Sequence, residues 1–358
     1  MQYPTPEYTP ELVNLAGRWQ VLFAARRFDE LASVRIEASL AFNVTDNWRA
    51  SHGYPTQLFY VQLKQKAKKL YSNALVAQRI KRLPSIVAKL ARQSDMKFSQ
   101  MQDIGGCRVV LKTIKQVRGL ETVLAESKWN HQQMAPKDYI AHPKRSGYRG
   151  IHLKYRFAGR GEKRTYSNLK VEIQLRTELQ HQWATAVETV DTFTRQSLKS
   201  NIGRAEWERF FALMGSAYAI AEDSPLVPDT PTSLPALAAE LSGLDERFTL
   251  IDTMKAIASI APSVEAEKGR GSNYLLILDV ASKTSRAIRF GVNDTLTANE
   301  EYFLLERAMA SNPAIQVVLV SASSLSSLKR AYPNYFLDIT AFLLDVEQLI
   351  RRSRLTKE

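Results

Sequence analysis

One cysteine, Cys107, stands in 358 residues, which excludes an internal disulfide framework and any zinc site built on cysteine clusters. Histidine is scarce as well. His52, His131, His142, His152 and His181 make up the whole set, and none is paired at metal-ligand spacing. No run of about 18 apolar residues occurs, so hydropathy gives no membrane span. The opening "MQYPTPEYTP" lacks the basic and apolar regions of a signal peptide. These absences predict a cytoplasmic protein with no structural metal and no membrane partner. Acidic residues are missing altogether between Asp46 and Asp95, where ten Lys or Arg occur.

What is present is a soluble globular composition, 45% hydrophobic and 24% charged, with an uneven charge. The net charge is +13, from 49 Lys and Arg against 36 Asp and Glu. Residues 1–222 hold 35 basic and 19 acidic side chains, a net of +16, whereas 223–358 hold 14 and 17, a net of −3. A solvated helix face normally mixes signs, so the basic block implies a polyanion: nucleic acid, nucleotide phosphates or a membrane surface.

The sign changes at "SPLVPDTPTSLP", Ser224 to Pro235, which holds four of the fourteen prolines. Proline removes donors and restricts its neighbours, so 224–235 reads as a linker between domains at 1–223 and 236–358. Before Lys97 the pattern predicts helices. Three strands are expected after it, at 107–112, 150–157 and 170–176. Alternation puts Ile151, Leu153, Tyr155 and Phe157 on one face, with His152, Lys154 and Arg156 on the other. In the third strand Val171, Ile173 and Leu175 oppose Glu172, Gln174 and Arg176. The polar face then carries Arg108, His152, Glu172, Gln174 and Arg176, a set suited to a phosphate-handling cleft. A helix at about 177–200 follows, with Leu179, Trp183, Val187 and Val190 on its buried stripe. After the linker come a helix at 236–261, a strand pair, a helix, a strand and a terminal helix from about Asn334. The terminal helix has Pro333 at its start and a core stripe of Phe336, Ile339, Phe342, Leu343, Val346, Leu349 and Ile350.

Four motifs occur in order: "QRIKRLPSIVAKL" (78–90), "DIGGCRVV" (103–110), "KDYIAHPKRSGYRGIH" (137–152) and "VEIQLRTELQHQWA" (171–184). Together they resemble the RelA/SpoT alarmone synthetase domain over about residues 40–200. The resemblance implies an α+β fold, a nucleotidyltransferase-like mixed β-sheet flanked by helices, joined here to a small α/β C-terminal regulatory domain. It implies transfer of pyrophosphate from ATP to a ribose 3′-hydroxyl with release of AMP, and Mg²⁺ as cofactor.

On that resemblance Arg79, Lys81, Ser85 and Lys89 cradle ATP phosphates from a helical entry, and Arg79 and Arg108 hold the adenine. The bland reading of Lys81 and Arg82 is exposed helix surface. Asp103 becomes a Mg²⁺ ligand, although an aspartate before Gly105-Gly106 can also simply brace the turn. Glu172 activates the attacking hydroxyl and also touches the metal, and Gln174 and Arg176 position the acceptor. Tyr148 offers a flat ring for the acceptor's purine, Lys144, Arg145 and Arg149 meet its phosphates, and His152 lies just inward. Housekeeping synthetases usually read Asn-Gly-Tyr here, where this chain has Ser146, which puts free guanine nucleotide in doubt as acceptor.

"KRAYPNYFLD" (329–338) resembles the tyrosine motif of fused toxin–antitoxin relatives, the CapRel type. That implies the 3′-CCA end of tRNA as acceptor, an autoinhibitory role for Tyr332 and Tyr335, and a phage structural protein as activator, with no DNA partner. Two tyrosines packing a helix start is the bland alternative. A small alarmone synthetase making (p)ppGpp from GDP or GTP, and a catalytically dead RNA-binding module, are the competing functions.

Overall fold

A computed structural model of the chain describes residues 3–194, 204–259, 263–266, 273–279, 281–282, 284–291, 294–309, 312, 314–321, 325–336 and 338–355. Its centre is a mixed sheet of nine strands among the described residues. They are β1 (Leu75–Ile80), β2 (Gly105–Leu111), β3 (Gln132–Asp138), β4 (Ile151–Arg156), β5 (Lys170–Thr177), β6 (Ser263–Ala266), β7 (Asn273–Asp279), β8 (Thr284–Phe290) and β9 (Ile315–Ser321). The spatial order is β3-β4-β5-β2-β1-β9-β7-β8-β6. β2 runs parallel to β5 and β6 to β8, and the other pairs are antiparallel. The α+β class expected from the sequence is therefore the observed one.

The three expected strands form at β2, β4 and β5, within two residues of their predicted ends. Their aliphatic faces join Phe59 and Leu63 of the helix Gly53–Leu70 in one core. The region before Lys97 is not all helical, however. Residues 75–80 form β1, inserted between β2 and β9, so Arg79 projects from a strand and the helix begins only at Leu83, with Pro84 in its first turn. Tertiary pairing on both edges overrides the local helical composition. β3 was not expected either. Its "QQMAPKD" lacks alternation, and Pro136 is tolerated because the strand is an edge with a register shift between Met134 and Lys137.

In the second half, the expected helix at 236–261 is two, Leu234–Phe248 and Leu250–Ser259, broken at Thr249 in a left-handed conformation. The terminal helix begins at Thr340. Pro333 instead opens a 3₁₀ turn, Pro333–Phe336, so Tyr335 belongs to that turn. From Ile339 on, the expected core stripe packs as read, with Phe342, Leu343 and Val346 in one cluster with Phe210 and Met214 of the helix Arg204–Ala221, whereas Phe336 packs with Tyr332 and Tyr335 in another.

The segment 224–235 connects helices that pack on each other, and β1 pairs directly with β9. The residues before and after the proline-rich stretch thus share both a sheet and a hydrophobic cluster.

Candidate active site

Asp103, just before β2, accepts from Lys81 Nζ at 3.0 Å and from Lys89 Nζ at 2.8 Å. Lys89 comes from the helix Leu83–Arg92 and Lys81 from the turn leading into it. Burial opposes ionisation, yet the two ammonium groups hold this carboxyl down to about 2. Glu172 lies across the same cleft, a cavity of about 780 Å³ that also takes in Arg79, Ser85 and Gln174. Its carboxyl is lowered too, because the bonds from His152 and Gln174 outweigh its own desolvation.

Glu172 belongs to a closed cycle of hydrogen bonds. His152 Nδ1 lies 3.0 Å from Glu172 Oε1, and Tyr148 Oη lies 2.5 Å from His152 Nε2. Arg176 Nη2 donates to Tyr148 Oη at 2.9 Å and to Gln174 Oε1 at 3.0 Å, and Gln174 Nε2 donates back to Glu172 Oε2 at 2.8 Å. One proton assignment satisfies every link of the cycle: the imidazole proton on Nδ1 facing Glu172, and the phenol proton facing Nε2. Strand pairing builds this cycle, since His152 sits opposite Gln174 and Lys154 opposite Glu172. Gly147, with φ of +93°, lets the loop bring Tyr148 in. A Cβ there would meet the Phe211 carbonyl at 2.6 Å.

Beside the cycle lies a concentration of cations. Burial, with Arg176 and Arg79 nearby, pulls the Arg108 guanidinium down to about 10. Arg108 Nε and Arg176 Nε and Nη1 are buried without a hydrogen-bond partner. Glu188, half-buried on the helix Glu178–Thr194, has its carboxyl lowered in spite of desolvation because Arg79 and Arg108 face it. That helix opens with a reciprocal cap between Thr177 and Gln180, the physical content of "TELQ".

Tyr332 and Tyr335 reach this cluster from the C-terminal half. The Arg108 guanidinium lies 5.9 Å from the Tyr332 ring centre, and Arg82 lies 5.7 Å from that of Tyr335. Tyr332 Oη donates to the Gln78 carbonyl of β1 at 2.8 Å, while the buried Tyr335 hydroxyl has no partner. Tyr332, Arg79, Arg108 and the two carboxylates enclose a space of only about 40 Å³.

The remaining expected residues are dispersed. Lys144 lines the cleft, with its ammonium 4.4 Å from the Tyr139 ring centre. Arg145 is exposed and pairs with Asp229 of the proline-rich stretch. Arg149 is buried in an ion pair with Glu222 at 2.5 Å, bracing the end of the helix Arg204–Ala221. Tyr148 is half-buried, with Trp183 and His152 edge-on to its ring and Arg176 5.1 Å from its centre.

Sequence reasoning missed one cluster. Arg49, fully buried, donates to Glu306 Oε2 at 2.7 Å and to Tyr302 Oη at 2.8 Å. Glu306 Oε1 accepts the Leu83 backbone N–H at 3.0 Å, at the first turn of the helix that carries Ser85 and Lys89. The signal available was Asp46 and Arg49 alone inside an otherwise uncharged helical stretch, but the partners Tyr302 and Glu306 lie more than 250 residues away.

Asp103 and Glu172, the two carboxylates that line the inner space beside Arg79 and Arg108, suit Mg²⁺, which takes one or two carboxylates and completes its shell with substrate phosphates and water. No group of three His, Cys, Asp or Glu able to hold a metal occurs among the described residues, so Asp103 and Glu172 fit a shared ion and not a protein-only cage.

Residues 78–192 match the family described as "Region found in RelA / SpoT proteins". Over 115 residues the chain is 34% identical to "GTP pyrophosphokinase YjbM" of Bacillus subtilis, covering 31% of this chain and 52% of that protein. It is 36% identical over 117 residues to "Uncharacterized protein Rv1366" of Mycobacterium tuberculosis, covering 32% and 38%. The chain thus spans about half the length, or less, of these curated relatives. Among solved structures, small alarmone synthetase 1 of Bacillus subtilis with its product pppGpp aligns at 23% identity and a TM-score of 0.40, covering 48% of this chain and 88% of that one. Asp103 and Glu172, the Arg79 and Arg108 pair and the Gly-Tyr loop all lie inside the matched segment, so it is the residues of this cleft that are similar to the RelA/SpoT region.

Proposed function

We propose that the chain is an ATP-dependent pyrophosphokinase acting on the 3′ end of tRNA and held shut by its C-terminal half. The observation that carries the transferase reading is the buried, unpartnered guanidinium N–H groups of Arg108 and Arg176 beside two ionised carboxylates. Buried donors normally find partners, and a polyphosphate supplies them. The printed name of YjbM, a GTP pyrophosphokinase, supports the same reaction class.

In this reading the acceptor's ribose 3′-hydroxyl oxygen attacks the β-phosphorus of ATP. The bond from that phosphorus to the oxygen bridging the α-phosphate breaks, AMP leaves, and the hydroxyl proton passes to Glu172. The His152 and Gln174 bonds keep Glu172 ionised and aimed, which a base needs. Lys81, Lys89 and Arg79 bind the phosphates and offset their repulsion. Mg²⁺, held by Asp103 with Glu172, would neutralise charge developing on the transferred group.

The closed state is supported by Tyr332. Beside Arg79 and Arg108, about 40 Å³ has room for roughly three waters, not for a purine. Glu306 adds a carboxylate on the Leu83 N–H, where a donor phosphate would otherwise meet the helix end. The unpartnered Tyr335 hydroxyl costs about 1–3 kcal/mol and makes this packing easier to release. A phage structural protein is the proposed trigger, on the resemblance of residues 329–338.

The net of +16 on residues 1–222 favours tRNA over a free nucleotide. A small alarmone synthetase using GDP or GTP is the second reading, favoured by the name of YjbM. β-Labelled ATP offered with tRNA, GDP or GTP tests both. Label on tRNA supports the first reading, and label on the guanine nucleotide alone supports the second. Label on neither acceptor, even after release of the second half, refutes both.

A further inference from the structure

The cleft uses Arg79, Lys81, Arg82, Lys89 and Arg92 of the acid-free block 47–94 but leaves four lysines unexplained. Lys64, Lys66, Lys68 and Lys69 all lie on the helix Gly53–Leu70. That helix packs on the sheet face opposite the cleft. Leu153 and Tyr155 point toward it, while His152 and Lys154 point into the cleft.

On this far face lies a second cavity, of about 290 Å³. Tyr54, Leu58 and Gln62, each four residues after the last, form one wall, and Lys66 continues the row. Trp129 and His131, before β3, form the other wall. His131 is stacked on Phe157 at 4.8 Å with rings 25° apart, and its Nδ1 accepts the Ala158 N–H at 3.2 Å, so its ring is fixed. Cations sit against the aromatic rings: the Lys66 ammonium is 5.9 Å from the Trp129 centre, and that of Lys163 is 5.1 Å from the Tyr54 centre. Lys128 and Arg160 complete the rim, no carboxylate lines the cavity, and none of the four cations is ion-paired among the described residues.

We propose that this cavity is an RNA-docking site, taking one unstacked nucleobase between aromatic walls while the lysines meet the flanking phosphates. Aromatic walls fit a base face, and unpaired cations fit a polyanion; an apolar or acidic occupant leaves one of the two unused. The site would grip the body of a long RNA away from the reacting end. This inference rests on the reading that the chain acts on tRNA.

The test is equilibrium binding of fluorescein-labelled tRNA to the full chain. Lys66→Ala/Lys128→Ala/Lys163→Ala changes exposed or rim side chains and should weaken binding at least tenfold. It should also make the dependence of log Kd on log salt shallower by about two. Trp129→Leu should weaken binding about fivefold or more, with Trp129→Phe retaining most of it, and millimolar GTP should not displace the RNA. A triple variant with wild-type affinity and salt slope overturns the site while leaving the tRNA reading intact. Displacement by GTP overturns it in favour of a mononucleotide pocket. Failure of the wild-type chain to bind tRNA at all removes the acceptor reading and this site together.

Discussion

The Tyr148 hydroxyl lies 2.5 Å from His152 Nε2, and the opposite nitrogen of that imidazole lies 3.0 Å from Glu172 Oε1. The phenol therefore acts on the carboxylate through the histidine. A ring face offered only for stacking does not need this hydroxyl. Tyr148→Phe keeps the face and removes two hydrogen bonds. We expect turnover to fall about tenfold, roughly 1.4 kcal/mol, with the acceptor KM little changed. Steady-state kinetics with the acceptor varied checks this; a Phe variant with wild-type kcat and KM assigns Tyr148 to stacking alone.

Glu172→Gln should abolish transfer and leave ATP affinity nearly intact, because shape is kept and the base is lost. A variant still turning over within about tenfold of wild type removes Glu172 from the chemistry.

Asp103 links the site to acid stability. Its folded pKa, about 2, lies below the ordinary aspartate value of 3.8, so its stabilisation is complete above the unfolded value and is lost as pH falls toward 2. By pH 3 the loss relative to pH 5 should be about 1 kcal/mol. Denaturant unfolding at both pH values checks this: Asp103→Asn should show a pH dependence smaller by that amount. An unchanged dependence means that Lys81 and Lys89 do not hold the carboxylate.

The strands that build the cleft were legible because each alternates cleanly and has one buried face, as with Ile151, Leu153 and Tyr155 against His152 and Lys154. The residues that Glu172 bonds, His152 and Gln174, follow from the same alternation. β1 was not legible, since its place depends on β9, which pairs with it through Gln78 and Arg79 from some 240 residues away. Arg149 looked like a phosphate ligand because sequence shows charge and not direction; its partner Glu222 is a helix end that only the fold brings near. Tyr332 and Tyr335 were legible as a pair three apart, but the 3₁₀ turn that carries them was not.

Arg49 and Glu306 tie the two halves through a buried pair. Glu306→Gln leaves Arg49 beside Tyr302 with a weaker partner, and loss of one member of a buried pair costs about 3–5 kcal/mol. The variant should unfold at lower denaturant and show a raised basal transfer rate. Denaturant titration and the transfer assay report the two effects separately. A variant with lowered stability and an unchanged basal rate makes the pair structural only.

The most direct measurement of the account is the rate of AMP release from ATP in the presence of tRNA, comparing wild type with Tyr332→Ala/Tyr335→Ala. In the proposed closed state the Tyr332 ring, 5.9 Å from Arg108, takes the place of the nucleotide base, so the double variant should release AMP many-fold faster without any activator, with β-label appearing on the RNA in equal amount. A double variant that binds ATP no better than wild type and releases no AMP contradicts the claim that a working pyrophosphokinase is held shut by these two tyrosines.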